Sequence, residues 1–196
     1  MRSIPTTMKK LRSNLYKAII TECMILRKPG LRDSARFAAI RSNDAVNQYL
    51  DRQTSTSTTE ARAFIKNIRN GIKAGKSYYW AISFLDDATL IGTICIWNLD
   101  QEKSIAEVGY ELHPDFQRRG LMREALNAVI SFVFQQLSLE ALIACTHEAN
   151  YRSISLLEHA GFQREKVPES EMNGRTAEPE MIIYRLNNPD KKARLL

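Results

Sequence analysis

The strongest hydrophobic periodicity in the chain lies near its middle, just after a short basic turn. Six apolar residues recur there at the i, i+3, i+4 and i+7 spacing of one buried helical face: Leu126, Val129, Ile130, Val133, Phe134 and Leu137. Before the turn, β-branched and aromatic residues from Ile105 to Leu112 predict a strand, which Pro114 ends because proline cannot continue a hydrogen-bonded ladder. Residues Ser104 to Leu137 therefore predict a strand, a turn and a long amphipathic helix.

The rest of the chain alternates helical stripes with short strand patterns. Helix start signals stand at Asp33 and at Thr58 or Thr59, and Asn150 begins a last helix that Gly161 closes. The predicted strands outside the central stretch are Met24 to Leu26, Tyr78 to Leu85, Leu90 to Trp97, Ala141 to Thr146, and two strands that flank a polar loop from Glu169 to Pro179. Helices between neighbouring strands require parallel crossovers, whereas short turns give hairpins. The predicted fold class is therefore α/β (α+β), with a mixed, mostly antiparallel sheet of about seven strands flanked by about four helices.

Composition narrows the class of protein. With 196 residues, of which 44% are hydrophobic, the chain is expected to form one globular domain. No apolar run approaches the roughly 20 residues of a membrane span, so no membrane partner is expected. Three scattered cysteines and three unclustered histidines indicate neither a disulfide framework nor a metal site, and they favour a reducing, cytoplasmic location.

Charge is concentrated at the beginning of the chain. The net charge of +6 favours polyanions or phosphorylated ligands, but residues 1–17 hold five basic residues and no acid. We expect residues 1–20 to form a basic, disordered or docking extension. Because this segment supplies much of the excess positive charge, the folded part of the chain is not predicted to be strongly basic.

The turn between the central strand and helix has the chemistry of an anion site. The first N–H groups of a helix have no intrahelical partner, so a phosphate can bind to them directly. Gly120 allows close approach of the backbone, and Arg118 and Arg119 add positive charge beside it. The alternative is a plain strand-to-helix turn with solvated arginines.

These residues resemble a known family, the RimJ/RimL branch of the GNAT superfamily of N-acetyltransferases. Gln117-Arg118-Arg119-Gly120-Leu121-Met122 is similar to the superfamily's Q/R-x-x-G-x-G/A cofactor loop, with Met122 where the wider superfamily has Gly or Ala. Further segments resemble the same branch in order and spacing: Thr21 to Arg27, Leu90 to Ile94, Glu107 to Tyr110, and Asn150 to Phe162. The resemblance spans residues Thr21 to Leu186.

The resemblance implies a fold and a co-substrate. It implies the acyl-CoA N-acyltransferase fold, in which two central strands splay apart and the pantetheine arm of acetyl-CoA lies between them. Residues 21–187 would form this domain, and residues 188–196 a charged tail. Leu112 would offer backbone groups to pantetheine, and Gln117, Arg118, Arg119, Gly120, Leu121 and Met122 would hold the pyrophosphate through their N–H groups. Asn150 would cap its helix, reach the cofactor or the amine, or do both.

Acetyl transfer to an amine needs a group that removes one proton, because the thioester is already activated. Glu107 is the candidate base, or the residue that orients a water acting as base. A regular strand places Glu107, Gly109 and Glu111 on one face, whereas a bulge would separate the two glutamates. For both glutamates the alternative is a solvent-facing position on a half-exposed sheet. His147, near Asn150 in sequence, is a second candidate proton acceptor.

A proton must also reach the departing thiol. Ser153 is the candidate for this contact, and its alternative is a serine that bonds back to its own helix. Many members of the superfamily carry a tyrosine seven residues after the asparagine, where this chain has Leu157. Tyr151 is a nearby alternative acid, although it does not match that motif.

The expected function is transfer of the acetyl group of acetyl-CoA to a primary amine, by direct attack in a ternary complex. The resemblance suggests the N-terminal amine of a ribosomal protein, although amino acids, polyamines and antibiotics are also acceptors in the branch. A basic RNA- or ribosome-binding module and an acyl-CoA sensor are the non-catalytic alternatives. Nucleic acid is the less favoured partner, because aromatic residues are not interleaved with the basic ones. A monomer and a homodimer are both compatible with the sequence.

Overall fold

The structure is a computed structural model that describes residues 16–50, 52, 57–100, 102, 104–165 and 180–192. Within these residues the chain forms eight strands in one sheet and six helices. The strands are β1 (Ile19–Ile20), β2 (Met24–Arg27), β3 (Tyr78–Phe84), β4 (Gly92–Asp100), β5 (Ile105–Leu112), β6 (Ala141–His147), β7 (Gln163–Glu165) and β8 (Met181–Asn187). The helices are α1 (Ser34–Arg41), α2 (Asp44–Asn47), α3 (Thr58–Lys73), α4 (Leu121–Gln135), α5 (Tyr151–His159) and α6 (Pro189–Lys192).

The sheet is mixed, which confirms the predicted fold class. Its strand order is β1-β2-β3-β4-β5-β6-β8-β7. Strands β5 and β6 pair in parallel, since α4 carries the chain across between them, and the other neighbours in this part of the chain pair antiparallel. The predicted hairpins and crossover are therefore present.

Helices cover both faces of the sheet. On one face the apolar stripe of α4, including Leu126, Val129 and Val133, packs with Leu157 of α5 against the central strands. On the other face α1 and α3 form a second core, in which Phe37, Ile65 and Ile68 are buried. Both sides of the central strands are therefore shielded from water. No helix in the described part of the chain combines the length and apolar character needed to cross a membrane.

The two central strands separate after a short paired segment. The pairs between β5 and β6 in the described structure are Ile105 with Ala141, Ala106 with Leu142, and Glu107 with Ile143. Beyond Glu107, β5 stays paired with β4 as far as Leu112, and β6 stays paired with β8 as far as His147. A gap therefore opens between β5 and β6, as the resemblance implied, and Glu107 lies at its closed end.

Several local features differ from the sequence-based expectation. Ile19 and Ile20, inside the predicted extension, pair with Leu26 and Ile25 of β2, because a hairpin turn at Thr21 to Cys23 brings them back along the sheet edge. At the other end of the chain, the predicted tail begins with the buried Asn188, whose Nδ2 donates to the Leu139 carbonyl.

The bulge that would have separated Glu107 from Glu111 does not occur in β5, and the irregularity lies in the neighbouring strand. The register shift lies in β4, between Trp97 and Asp100, where Asn98 adopts a positive φ of 47°. Strand β5 is regular from Glu107 to Leu112. Residues 1–15 of the predicted extension and the predicted loop from Glu169 to Pro179 lie outside the described residues.

Candidate active site

The predicted phosphate loop leads directly into the N-terminus of α4. Gly120 is the residue before the helix and adopts the left-handed conformation, with φ 78° and ψ −9°, and Arg118 is also left-handed at φ 64°. Both residues are exposed, as is Arg119, whose guanidinium lies 5.9 Å from the ring centroid of Phe84. These two left-handed residues turn the chain so that α4 begins at Leu121 with its first N–H groups available for an anion.

Leu121 and Met122 contribute to this loop in a different way from the arginines. Their side chains are buried in the core beside α4 and the sheet. Only their backbone groups can therefore face a ligand, which agrees with the predicted role. The buried side chains also fix the first turn of α4 against the sheet, so the N–H groups of this turn are held in place.

Gln117 ties the loop to both sides of the gap. Its Nε2 donates to the Leu112 carbonyl at 2.9 Å, and its Oε1 accepts from Arg152 Nη1 at 2.9 Å. The carbonyl of Leu112, expected to contact pantetheine, is thus already engaged by Gln117. Arg152 belongs to α5, so Gln117 links the end of β5 to the helix that follows β6.

Along the edge of β5 that lines the gap, backbone N–H and carbonyl groups have no neighbouring strand in the described structure to pair with. The N–H of His113 donates to Ile91 on the β4 side, and the Ser104 carbonyl accepts from Glu140 on the β6 side. Backbone groups alternate between the two edges of a strand, so those of Val108, Tyr110 and Leu112 point toward β6. The Val108 N–H completes the pairing of Glu107 with Ile143, and the Leu112 carbonyl accepts from Gln117. The groups that face the gap are therefore the Val108 carbonyl, both backbone groups of Tyr110 and the Leu112 N–H. An extended amide-containing chain can pair with them as an added strand does. The pantetheine arm is such a chain, so the gap and the loop together fit acetyl-CoA.

Glu107 occupies a protected position at the closed end of this gap. It is 6% exposed, and it shares one face of β5 with Gly109 and Glu111, as predicted for a regular strand. The Trp97 indole lies over Gly109, because a Cβ built on this glycine would come within 2.4 Å of the ring. The solvent-facing alternative for Glu107 is therefore wrong, because the helical layer on this side shields the sheet face.

Glu111 is also buried, and its partners are polar. Its Oε2 lies 2.7 Å from Arg52 Nη1, and Thr93 Oγ1 donates to its Oε1 at 3.3 Å. Glu111 is therefore not a solvent-facing residue either. Arg52, which lies between α2 and α3 in the chain, is thereby held against this face of the sheet.

His147, the second candidate base, has both ring nitrogens engaged. Its Nδ1 accepts from the N–H of Ala149 at 3.0 Å, so Nε2 carries the proton and donates to Glu180 at 2.5 Å. The ring also packs against Tyr49, with the ring centroids 5.5 Å apart. These contacts hold His147 at the end of β6 and favour Glu107 as the proton acceptor.

Ser153 lies on the opposite side of β5 from Glu107 and contacts Tyr110 across the gap. The two hydroxyl oxygens are 2.9 Å apart. Burial raises the pKa of Tyr110 to about 12, although its hydrogen bond with Ser153 lowers it, so the phenol remains protonated at neutral pH. Asn150 Oδ1 accepts from the N–H of Ser153 at 3.1 Å, which confirms the predicted helix cap. Tyr151, the alternative acid, is 77% exposed.

Sequence reasoning missed the residues that reach the site from other elements. Side chains alternate between the two faces of a strand, so Tyr110 lies on the face of β5 opposite the glutamates. This alternation was the one signal in the sequence for its contact with α5. Arg152, Tyr49 and Arg52 had no local signal, because their partners Gln117, His147 and Glu111 are distant in sequence. In the described residues, no group of three or more His, Cys, Asp or Glu side chains is placed to hold a metal ion.

Comparison with known proteins adds independent support. The model of the acetyltransferase (GNAT) domain family matches residues 24–163. The uncharacterized N-acetyltransferase YoaA of Bacillus subtilis is 29% identical over 89% of this chain and 99% of its own length. Ribosomal-protein-S5-alanine acetyltransferase from Vibrio fischeri superposes with a TM-score of 0.76, at 20% identity over 89% of this chain and 98% of that one. Mycobacterium smegmatis RimJ, in complex with CoA-disulfide, superposes with a TM-score of 0.77, at 18% identity over 89% of both chains.

Proposed function

Because the chain belongs to the GNAT acetyltransferase family, we propose that it transfers the acetyl group of acetyl-CoA to the N-terminal amine of a protein. Its similarity to named N-acetyltransferases establishes the enzyme class, and the choice of acceptor is the proposal. Three of the similar structures carry the names of ribosomal-protein acetyltransferases, which supports a ribosomal protein as the acceptor and a cytoplasmic location.

The observation that carries this proposal is the position of Glu107 at the closed end of the gap. Bound acetyl-CoA would supply an activated thioester there. Glu107 reaches the site from one face of β5 and takes the proton of the incoming amine, directly or through a water. The N–H groups of Tyr110 and Leu112 face the gap and can donate to the cofactor, whereas the exposed first turn of α4 holds its pyrophosphate.

The opposite face of β5 holds the proton donor. Ser153 gives a proton to the departing thiolate as it takes one from the Tyr110 hydroxyl, which lies 2.9 Å away, and Tyr110 takes a proton back from water. Overall the amine loses the proton that the thiolate gains. Base and acid thus stand on opposite sides of the strand that lines the gap. This arrangement suits direct attack in a ternary complex, because the amine approaches from one side and the thiol is protonated from the other.

A titration followed by a rate measurement tests the proposal. Calorimetry with acetyl-CoA should give saturable one-site binding that survives moderate salt, with CoA and dephospho-CoA as controls. Glu107→Gln should then lower kcat about 100-fold or more, the contribution of a positioned general base, and leave the affinity for acetyl-CoA unchanged. Glu102→Gln, at an exposed position of the turn between β4 and β5, is the matched control.

Each other outcome points to a different function. Equal turnover of the wild type and Glu107→Gln would remove Glu107 from the mechanism. Acetylation of small amines alone would identify a small-molecule acceptor. Binding of acetyl-CoA without turnover on any amine would indicate an acyl-CoA sensor. Absence of binding would overturn the proposal and direct attention to RNA and ribosomes.

A further inference from the structure

A buried cluster with more positive than negative charge lies beside the proposed acceptor face. Its centre is Glu111, which accepts hydrogen bonds from Arg52 and Thr93. The Arg52 guanidinium is also held from its other edge, where Nε donates to Asn47 Oδ1 at 2.8 Å. The Arg52 side chain keeps 19% of its surface exposed, so the cluster is open to solvent at one point.

A second guanidinium, that of Arg41, interacts electrostatically with the same carboxylate. Arg41 stacks on the ring of Phe64, with its Cζ 4.2 Å from the ring centroid. Burial lowers the pKa of Arg41, the negative charge of Glu111 raises it, and the positive charge of Arg52 lowers it further. The negative charge of Glu111 therefore stabilises both guanidinium groups.

Both arginines retain donors that the described residues do not satisfy. Arg41 Nε and Arg52 Nη2 are shielded from solvent and have no hydrogen-bond partner among these residues. A shielded charged donor is costly when it lacks an acceptor, and pairing with an anion is the usual remedy. One carboxylate cannot neutralise two guanidinium groups, so the cluster is suited to a second anion.

The distance between Glu111 and Glu107 determines which anion can bind the arginines while an amine reaches Glu107. Glu111 and Glu107 lie on the same face, four residues apart along β5, which corresponds to about 13 Å. The Trp97 indole covers Gly109 between them. A free amino acid is too short to place its amine at one end and its carboxylate at the other. A peptide N-terminus with an acidic side chain a few residues away has the required length, at about 3.3 to 3.6 Å per residue.

We propose that Arg41 and Arg52 select protein N-termini that carry an acidic residue at the second, third or fourth position. This inference rests on the proposed function and narrows its acceptor. The acidic side chain binds the two guanidinium groups beside Glu111, while the amine reaches Glu107. Arg41 is held on Phe64 and Arg52 on Glu111 before any peptide arrives, so little side-chain freedom is lost on binding.

The test compares short peptides that differ only in one Glu-to-Gln exchange at the second, third or fourth position. At one of these positions the acidic peptide should have a kcat/KM about 10- to 100-fold higher, the range expected for a hydrogen bond to a charged group. Arg41→Met and Arg52→Met should each reduce this preference toward equality. Arg69→Met is the control, because Arg69 has a partner of its own, the Pro29 carbonyl.

The outcomes separate this inference from the proposed function. Peptide acetylation with equal kcat/KM for every acidic and amide pair would overturn the selectivity and leave the acetyltransferase function intact. A preference that persists in both methionine variants would overturn the assignment to these arginines. Failure to acetylate any peptide would overturn both proposals. Unchanged affinity for acetyl-CoA in each variant verifies that the fold is intact, and Arg41→Met keeps the Arg52–Glu111 ion pair.

Discussion

The packing of Trp97 on Gly109 gives a prediction that can be worked from distances. A Cβ at position 109 would lie 2.4 Å from Cη2 and 2.5 Å from Cζ3 of the indole, whereas ordinary contacts begin near 3.4 Å. In Gly109→Ala the ring must therefore move by about 1 Å, or the strand must yield. Because Trp97 is only partly buried, the ring can tilt outward.

The expected cost is that of overpacking a fitted site, about 1 to 3 kcal/mol in the free energy of unfolding. Trp97→Phe removes the outer ring atoms that the new methyl group would meet. The double variant should therefore be more stable than the two single costs together would predict, with a coupling energy of at least about 1 kcal/mol. Urea unfolding of the four proteins measures this coupling.

The same variants should alter the acceptor side of the site and leave the cofactor side intact. The ring lies between Glu107 and Glu111, so Gly109→Ala should raise the KM for the amine several-fold without changing the affinity for acetyl-CoA. Steady-state kinetics and calorimetry measure the two quantities separately. Additive stability costs would refute the steric explanation, and an unchanged KM would refute the assignment of this face to the acceptor.

Three further predictions concern the loop, the proton donor and a buried ion pair. Gly120→Val should weaken binding of acetyl-CoA, because a left-handed φ of 78° costs a β-branched residue about 1 to 2 kcal/mol; Gly75→Val, strained at φ 66° but remote from the loop, should leave the measured Kd unchanged. Tyr110→Phe should lower kcat about 5-fold, since one hydrogen bond of about 1 kcal/mol to Ser153 is lost; an unchanged kcat would exclude Tyr110 from proton transfer. Burial raises the pKa of Asp33, but the bonds from Arg27 and from the N–H of Gly30 outweigh it and hold the pKa below 3.8. The pair therefore stabilises the fold above about pH 4 and loses this contribution as the pH falls through the depressed pKa. The free energy of unfolding, measured in urea, should differ less between pH 6 and pH 3 in Asp33→Asn than in the wild type.

The central stretch could be predicted because its signals are local. The 3.6-residue periodicity from Leu126 to Leu137 reports the buried face of α4, and Pro114 and Gly120 mark the turn before it. The apolar residues of α3 likewise predict its helix. Gly71 lies inside that helix, and Gly75, at φ 66°, follows its end. In each case the residues that carry the pattern also make the contacts.

The partners of the glutamates could not be predicted, for a physical reason. Alternating polar residues in a strand usually indicate a wet face, and Glu107 and Glu111 fit that pattern. In the structure α1, α3 and the Arg52 side chain cover this face, so the pattern instead marks buried polar groups with specific partners. Burial on the second face depends on how distant segments pack, which the strand's own sequence does not encode.

The gap between β5 and β6 has a thermodynamic consequence. An added strand in this gap would pair with backbone groups of the folded chain that the unfolded chain cannot present as an ordered edge, so acetyl-CoA should act as a folding ligand. At 100 times its Kd the co-substrate should add about 2.7 kcal/mol to the free energy of unfolding and raise the Tm. Amide hydrogen exchange should slow most at Tyr110 and Leu112. The lifetime of the folded enzyme would then follow the local supply of acetyl-CoA, and the protein would be least stable when its co-substrate is scarce.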